Sequence, residues 1–395
     1  MKKKVVFMII NMNVGGTEKA LLNMIAELPK ENFEVTILML EKYGGFLDLI
    51  PNHVHIEYVS LYDDIRDMVN NPPLKVAWKT MEKGKVISAC SIIILHLLSK
   101  LRKERSIFYF YLLKNVPVMK TKFDIAVAYA GPMDLISYFI ATKVNAKKKV
   151  QWIHFDITKI GFNKYFAAKV YKRFDKIFVV SNEGKEKVIN QLPVLKHKTE
   201  VFFNLISANL ITEAAIEGKG FQDDFNGIRI VTVGRLTVEK GQDLAIKACS
   251  KLIENGFNIR WYCVGEGDSR IRYEEMIDNL HLNEHFILLG EDPNPYQYIK
   301  DCDIYVQPSK HEGYCITLAE ARALRKPIVT TNFIGAIEQI KNNETGIIVN
   351  VDEFDIYQAV KELINHPKQC REFSSNLSKE THNNKFEMEK IYRLV

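Results

Sequence analysis

Two glutamates, Glu312 and Glu320, stand with seven residues between them in HEGYCITLAEA. A carboxylate taken out of water is costly unless a partner satisfies it, so the pair calls for a reason. The stretch reads as a loop, KHEGY, followed by a helix that starts near Cys315 to Thr317 and runs to Pro327. A helix start presents free amides and the positive end of its dipole. That makes Gly313, Tyr314, Cys315, Ile316 and Thr317 a candidate cradle for an anion. Upstream, TVGRLTVEKGQDLAIKA ends a strand at Val233, frees the backbone at Gly234 and brings Arg235 and Lys240 to a helix start near Gln242. Cations beside a strand's carboxyl end and a helix N-terminus favour a phosphate-bearing ligand. Lysine supplies a point charge and arginine a planar fork. The two acids repel phosphate but accept hydrogen bonds from sugar hydroxyls. Eight helical residues rise about 12 Å, the order of the span from a nucleotide's ribose across its diphosphate to a hexose. Glu312 is then expected at the sugar and Glu320 at the ribose. The plainer alternatives are a capping acid, a surface acid and two solvated cations.

His154 ends the strand KKVQWI. There it can donate to a hydroxyl or carry partial charge, or be a structural ring. His311, next to Glu312, reads as a positioning residue. Two patterns are set aside. GEGDSR begins like a dinucleotide fingerprint but has Arg270 where the third glycine belongs. Asp301 and Asp303 have metal-pair spacing, yet they sit where a helix hands over to a strand, which suits Asp303 as a structural residue. With fixed cations and a helix end facing the phosphates, no obligatory metal is expected.

The elements that must hold these residues alternate. Short β-rich runs such as KVVFMII, FEVTILML, FDIAVAYA and KIFVVS are separated by helical patterns, and a second series runs from IRIVTVGRL to GIIVN. This is the signature of βαβ units and parallel sheets covered on both faces. Residues 211–227, ITEAAIEGKGFQDDFNG, are polar and Gly-containing and read as a linker. The expected class is α/β: two doubly wound, Rossmann-like domains, 1–210 and 228–375, facing across a cleft. A terminal helix at about 376–395 is expected to pack back on the first. Ligands of such sheets bind beyond the carboxyl ends of the strands.

The length of 395 residues fits two domains. With 47% hydrophobic and 26% charged residues the chain can build a sizeable core. A net charge of +6 is too mild to demand nucleic acid. The six cysteines are scattered without a CxxC pair and read as structural thiols of a reducing compartment. The N-terminus MKKKVVFMIINMNVGG mimics a signal peptide, but its apolar run is short and reads better as a first strand. No run reaches the length of a membrane span. Lys75 to Lys122 breaks the rhythm. It is rich in Lys and Arg, has only Glu82 and Glu104 as acids, and contains SIIILHLL and SIFYFYLLK. Cations beside apolar groups suit an anionic bilayer surface; an ordinary helix pair with a solvated basic face fits the same residues.

HEGYCITLAEA, with VGRLTVEKG, VGEGDSR, CDIYVQPS, KPIVTTNFIGAIEQI and TGIIV, closely resembles the donor half of the retaining, GT-B-fold glycosyltransferases of family 4, nearly continuously over about 228–350. The first half is similar more loosely, through NVGGTEKALLNM, WIHFD and VVSNEGKEKVI. The resemblance implies that Glu312 and Glu320 are the family's paired glutamates and that Arg235 and Lys240 are its phosphate-binding cations. His154 corresponds to the histidine near the donor sugar, and Gly15 and Gly16 to a loop that faces the diphosphate. It implies a retaining transfer from a nucleotide-diphosphate sugar, a UDP-sugar foremost. The acceptor would be a glycan, a teichoic-acid-like polymer or a lipid-linked molecule, met in the cytoplasm or peripherally at the inner face of the plasma membrane. An epimerase of the same fold and a non-catalytic partner are the alternatives. Cys315 departs from the small residue usual after the EG-aromatic triplet, and Ile334-Gly335 from a frequent Gly-Gly.

Overall fold

The protein is described by a computed structural model covering residues 2–218, 220–380 and 384–395. It divides into two units. The first runs to Glu18 and takes in Leu28–Phe203 and Phe386–Val395; the second takes in Lys19–Glu27 and Asn204–Lys385.

The first unit holds seven parallel strands: β1 Lys3–Ile9, β2 Phe33–Met39, β3 His55–Tyr58, β4 Lys122–Ala128, β5 Asn145–Ile153, β6 Lys176–Val179 and β7 Thr199–Val201. Their order in the sheet is β3-β2-β1-β4-β5-β6-β7. Val5 to Ile9 are all buried. A strand with helices on both faces has no solvated side, so it becomes a continuous apolar run. Phe139, Phe166, Tyr171 and Phe174 join Val6 and Met8 in one buried core. Near the C-terminus Glu387 accepts from the Phe203 amide at 3.1 Å, and Lys390 donates to the Val201 carbonyl at 2.7 Å.

The second unit holds β8 Ile228–Val233, β9 Ile259–Val264, β10 Phe286–Gly290, β11 Ile304–Gln307, β12 Ile328–Thr331 and β13 Ile347–Val349, all parallel. The order is β10-β9-β8-β11-β12-β13. In both sheets the order reverses beside the first strand, between β1 and β4 and between β8 and β11. Such a reversal is where doubly wound sheets open a crevice for a ligand. Trp261 is fully buried, and its indole donates to Thr232, whose hydroxyl donates to the Val306 carbonyl, so β9, β8 and β11 share one satisfied polar contact in an apolar core.

Three expectations are corrected. Residues 211–227 are not a bare linker: Ala208–Glu217 is a helix of the second unit, because Ile211 and Ala215, four residues apart, bury one face. The expected terminal helix is two helices, Pro367–Lys379 and Asn384–Tyr392. Lys219 and Thr381 to Asn383, within those expectations, lie outside the described residues. The helix expected to reach Pro327 stops at Ala323, and Arg325 turns the chain at φ 58°. The basic segment folds as Pro73–Glu82, Val86–Leu101 and Ser106–Leu112, three helices placed between β3 and β4. All six cysteines are free thiols.

Candidate active site

The second unit's reversal point collects the charged residues. After β8 the chain passes Gly234 and the exposed Arg235, makes a tight turn at Val238–Lys240, and reaches Gly241. Gly241 sits at φ 72° and opens the helix Gln242–Glu254. A Cβ there would lie 1.9 Å from the Pro308 carbonyl oxygen, so glycine is required both by conformation and by space. Gly234 is not required in the same way: its backbone is not left-handed, and a Cβ would meet only the Lys240 stem at 3.6 Å. Gln242, fully buried, donates to the Arg235 carbonyl at 2.9 Å and so fixes the loop that carries Arg235.

After β11 comes Glu312. Its carboxylate accepts from the Lys240 ammonium and, at 3.1 Å, from the Ser309 hydroxyl. Burial works against the Lys240 charge, but Glu312 beside it, with Cys315, more than offsets that and lifts the lysine pKa above its usual value. Behind Glu312 runs a polar chain: Tyr305 donates to Gln307 at 2.7 Å, Gln307 to Ser309 at 2.9 Å, and Thr317 to Gln307 at 3.1 Å. Tyr305, Gln307 and Ser309 are each 0% exposed. They recur every second residue along β11 and just past its end, so the extended chain turns them to one side. Their networking holds the Glu312 loop in one geometry.

The helix Ile316–Ala323 begins directly after this loop. Cys315 precedes it at φ 65°, a conformation uncommon for a residue with a side chain. Its thiol is buried and pushed up to about 12, so it is inert packing rather than a nucleophile. Space requires the glycine at 335. A Cβ at that position would approach the Tyr314 carbonyl oxygen to 2.3 Å; Gln339 donates to the same carbonyl. Gly313, Tyr314 and Thr317 are partly exposed, while Cys315 and Ile316 are buried.

Glu320 lies one turn further in and is 1% exposed. Tyr296 donates to it at 2.8 Å, and the Lys19 ammonium stands 4.3 Å over the Tyr296 ring. Burial raises the Glu320 pKa, and Lys19 and Tyr296 pull it back. Lys19 is itself lowered by burial, with Glu320 and Asp292 opposing. Glu320 is thus no surface acid. Lys19, Tyr296, Gln242, Gln307 and Ser309 were not singled out from the sequence; the polar alternation along β11 is the one signal that marks any of them.

In the first unit His154 follows β5. It is 8% exposed, its ring edge-on to Tyr129 at 4.6 Å and stacked on Trp152 at 6.3 Å. Burial depresses its pKa to about 3, against a weaker opposing hydrogen bond with the Tyr129 backbone, so the ring is neutral at physiological pH. His154 Nε2, Tyr129 Oη and Trp152 Nε1 have no hydrogen-bond partner among the described residues. Gly15 is half-buried in the loop after β1, and the exposed Gly16 opens the helix Gly16–Glu27. Asp303 accepts from the Arg229 amide at 2.8 Å, a structural contact. A cavity of about 230 Å³ in the first unit is lined by Ser106, Phe110, Tyr138, Lys169 and Arg173 among others, and it contains none of the residues expected at the site.

Comparison with known proteins bears on this arrangement. Residues 220–380 match the family described as glycosyl transferases group 1. A Campylobacter jejuni protein named N-acetylgalactosamine-N,N'-diacetylbacillosaminyl-diphospho-undecaprenol 4-alpha-N-acetylgalactosaminyltransferase is 30% identical over 208 residues, 52% of this chain and 55% of that protein. The chain therefore spans about half the length of that relative. The capsular polysaccharide biosynthesis glycosyltransferase CapM of Staphylococcus aureus is 25% identical over 67% of this chain and 72% of its own. Among solved structures, Anabaena HepE in complex with UDP and glucose superposes with a TM-score of 0.70 at 17% identity, covering 99% of each chain. The fold is that of the GT-B glycosyltransferases.

Proposed function

We propose that this chain, whose residues 220–380 match the glycosyl transferases group 1 and which has the GT-B fold, transfers a sugar from a nucleotide-diphosphate sugar, a UDP-sugar, to a glycan, teichoic-acid-like or lipid-linked acceptor at the cytoplasmic membrane face. One observation carries this reading: the Lys240–Glu312 pair at the β8/β11 reversal, beside the first turn of Ile316–Ala323. Breaking a glycosidic bond to a diphosphate develops negative charge on the leaving oxygens. Lys240, Arg235 and the amides at Gly313 to Thr317 are fixed positive groups for that charge, the largest lever open to such a site. The raised lysine pKa keeps the ammonium charged throughout the neutral range.

Glu312 accepts hydrogen bonds from the transferred sugar, and Glu320 from the ribose. His154, a neutral ring with an open Nε2, hydrogen-bonds the donor sugar. Gly15 and Gly16 let backbone amides approach the diphosphate. The acceptor attacks the face from which the diphosphate leaves, so configuration is retained; a leaving phosphate oxygen takes the acceptor's proton, and no metal is needed. The UDP and glucose held by HepE support the donor class. The names of the C. jejuni and S. aureus relatives support an acceptor from surface-polysaccharide or lipid-linked chemistry.

The test is a thermal-shift screen of nucleotide sugars, followed by turnover of Glu312→Gln and Lys240→Ala with the donor found. Each variant is expected to lower turnover at least about tenfold, about 1.4 kcal/mol of barrier, while the chain stays folded. Turnover at the parent rate in both would refute the site. UDP release that does not depend on an acceptor would point to the epimerase instead.

A further inference from the structure

We propose that the helix Val86–Leu101, with the exposed aromatics of its neighbours, is a docking face for an anionic lipid bilayer, lying in the interface plane rather than crossing it. Ile87, Cys90, Ile94, Leu97 and Leu101 recur at spacings of three and four and form one stripe along the helix. The stripe faces solvent: Ile87 is 85% exposed, Ile94 55%, Leu97 53% and Leu101 80%. The other face is apolar as well, with Ala89 and Ile92 buried against Val76 and Ala77 of Pro73–Glu82. The helix is thus packed on one side while a second apolar stripe is left uncovered. Trp78 at 65% and Phe110 at 67% exposure, on the helices packed against it, extend the patch. Exposed large apolar side chains gathered on neighbouring helices mark an interaction site.

Charge identifies the occupant. Lys83 and Lys85 precede the helix, Lys100 lies in its last turn, and Arg102 and Lys103 follow it; all five are exposed. Residues 75–105 carry eight cations and two acids, a net +6, which equals the net charge of the whole chain; the remaining residues hold 46 of each sign. Of the two acids, Glu82 accepts from the Trp78 indole, and buried Glu104 is held by Ser106 and Lys169. A second copy packed stripe to stripe would set cationic end against cationic end in either orientation, a repulsive arrangement. An anionic bilayer takes both ends at once, with the apolar stripe in the acyl boundary. Sixteen residues make about 24 Å of helix, short of a span. Among the described residues no helix is long and apolar enough to cross a membrane.

The inference rests on the proposed function only in that the acceptor is membrane-borne; its test needs neither donor nor acceptor. The purified full chain is floated with phosphatidylcholine vesicles, with and without phosphatidylglycerol. The expected result is partitioning at least about tenfold stronger onto phosphatidylglycerol vesicles, reversed by high salt. Ile94→Asp/Leu97→Asp is expected to lower that partitioning at least about tenfold with an unchanged melting temperature, because both side chains are exposed. Lys83→Glu/Lys85→Glu/Lys100→Glu is expected to erase the preference for phosphatidylglycerol. Three results would each overturn the proposal: a parent protein that does not float, a double aspartate variant that floats like the parent, or a non-floating dimer that the double variant converts to monomers. If flotation fails while nucleotide sugars still raise the melting temperature, the docking face falls and the transferase reading stands.

Discussion

The carboxyl ends of β8 and β11 lie at the order reversal of their sheet, and those of β4 and β5 lie beside the reversal of the other, yet they handle charge in opposite ways. At the first, Lys240 and Glu312 are both largely withdrawn from solvent, with side chains 18% and 14% exposed, and they remain an ion pair. At the second, Tyr129, Trp152 and His154 are buried without any counter-ion, and the imidazole is held neutral. The topology therefore fixes where a ligand can go but not what it meets. At the β8/β11 end burial is offset by pairing; at the β4/β5 end it expels charge. One end is suited to an anion, the other to uncharged hydroxyls.

The sharpest way to break this contrast is to remove a buried counter-charge from the second unit. Lys19→Met leaves Glu320 without its cation beside Tyr296, and stability is expected to fall by about 3 kcal/mol in urea unfolding. Lys19→Met/Glu320→Leu should recover much of the loss, because the stranded carboxylate is gone. A single variant as stable as the parent would mean that pairing does not hold the charges there.

The next largest effect belongs to His154. Its pKa is about 3 folded against 6.5 for the ordinary side chain. As pH falls below 6.5 the unfolded chain binds a proton that the native ring refuses, so stability is lost toward acid. Between pH 7 and 5 the loss from this group is about 2 kcal/mol. His154→Gln should flatten that slope, and an imidazole resonance titrating near neutrality would contradict a charge-expelling strand end.

Asp134, at the start of the helix Asp134–Lys143, gives the smallest effect and the opposite sign. Burial raises its pKa from 3.8 to about 7, with Arg105 opposing. Here the unfolded chain releases its proton first as pH rises, so stability is present below 3.8 and lost through 7. Between pH 4 and 5 that loss is about 1 kcal/mol, and Asp134→Asn is expected to abolish it, read from unfolding midpoints at the two values.

The strands and their parallel pairing were legible in the sequence because a strand covered on both faces must be an unbroken apolar run. Arg235, Lys240 and Glu312 could be placed in loops after strands because each stands next to a glycine that follows an apolar run. Residues 211–227 misled because two buried side chains, Ile211 and Ala215, suffice to dock a short helix, and polar neighbours hide so small a face. For Glu320 the sequence left two readings, an acid at the ribose and a plain surface acid; its burial removes the second, and that burial depends on Lys19 and Tyr296, far away in the chain.

By itself the sequence determined the alternation of strands and helices, the glycines that chain geometry demands, and the charged residue types available at strand ends. These follow from local periodicity and backbone sterics, which act within a few residues. The tertiary structure alone decided that Lys240 meets Glu312 and that Tyr305, Gln307 and Ser309 form one chain behind it. It also decided that His154 loses its charge and that one stripe of Val86–Leu101 is left facing solvent. Each of these depends on which distant groups share a low-dielectric neighbourhood, and only the packed chain sets that.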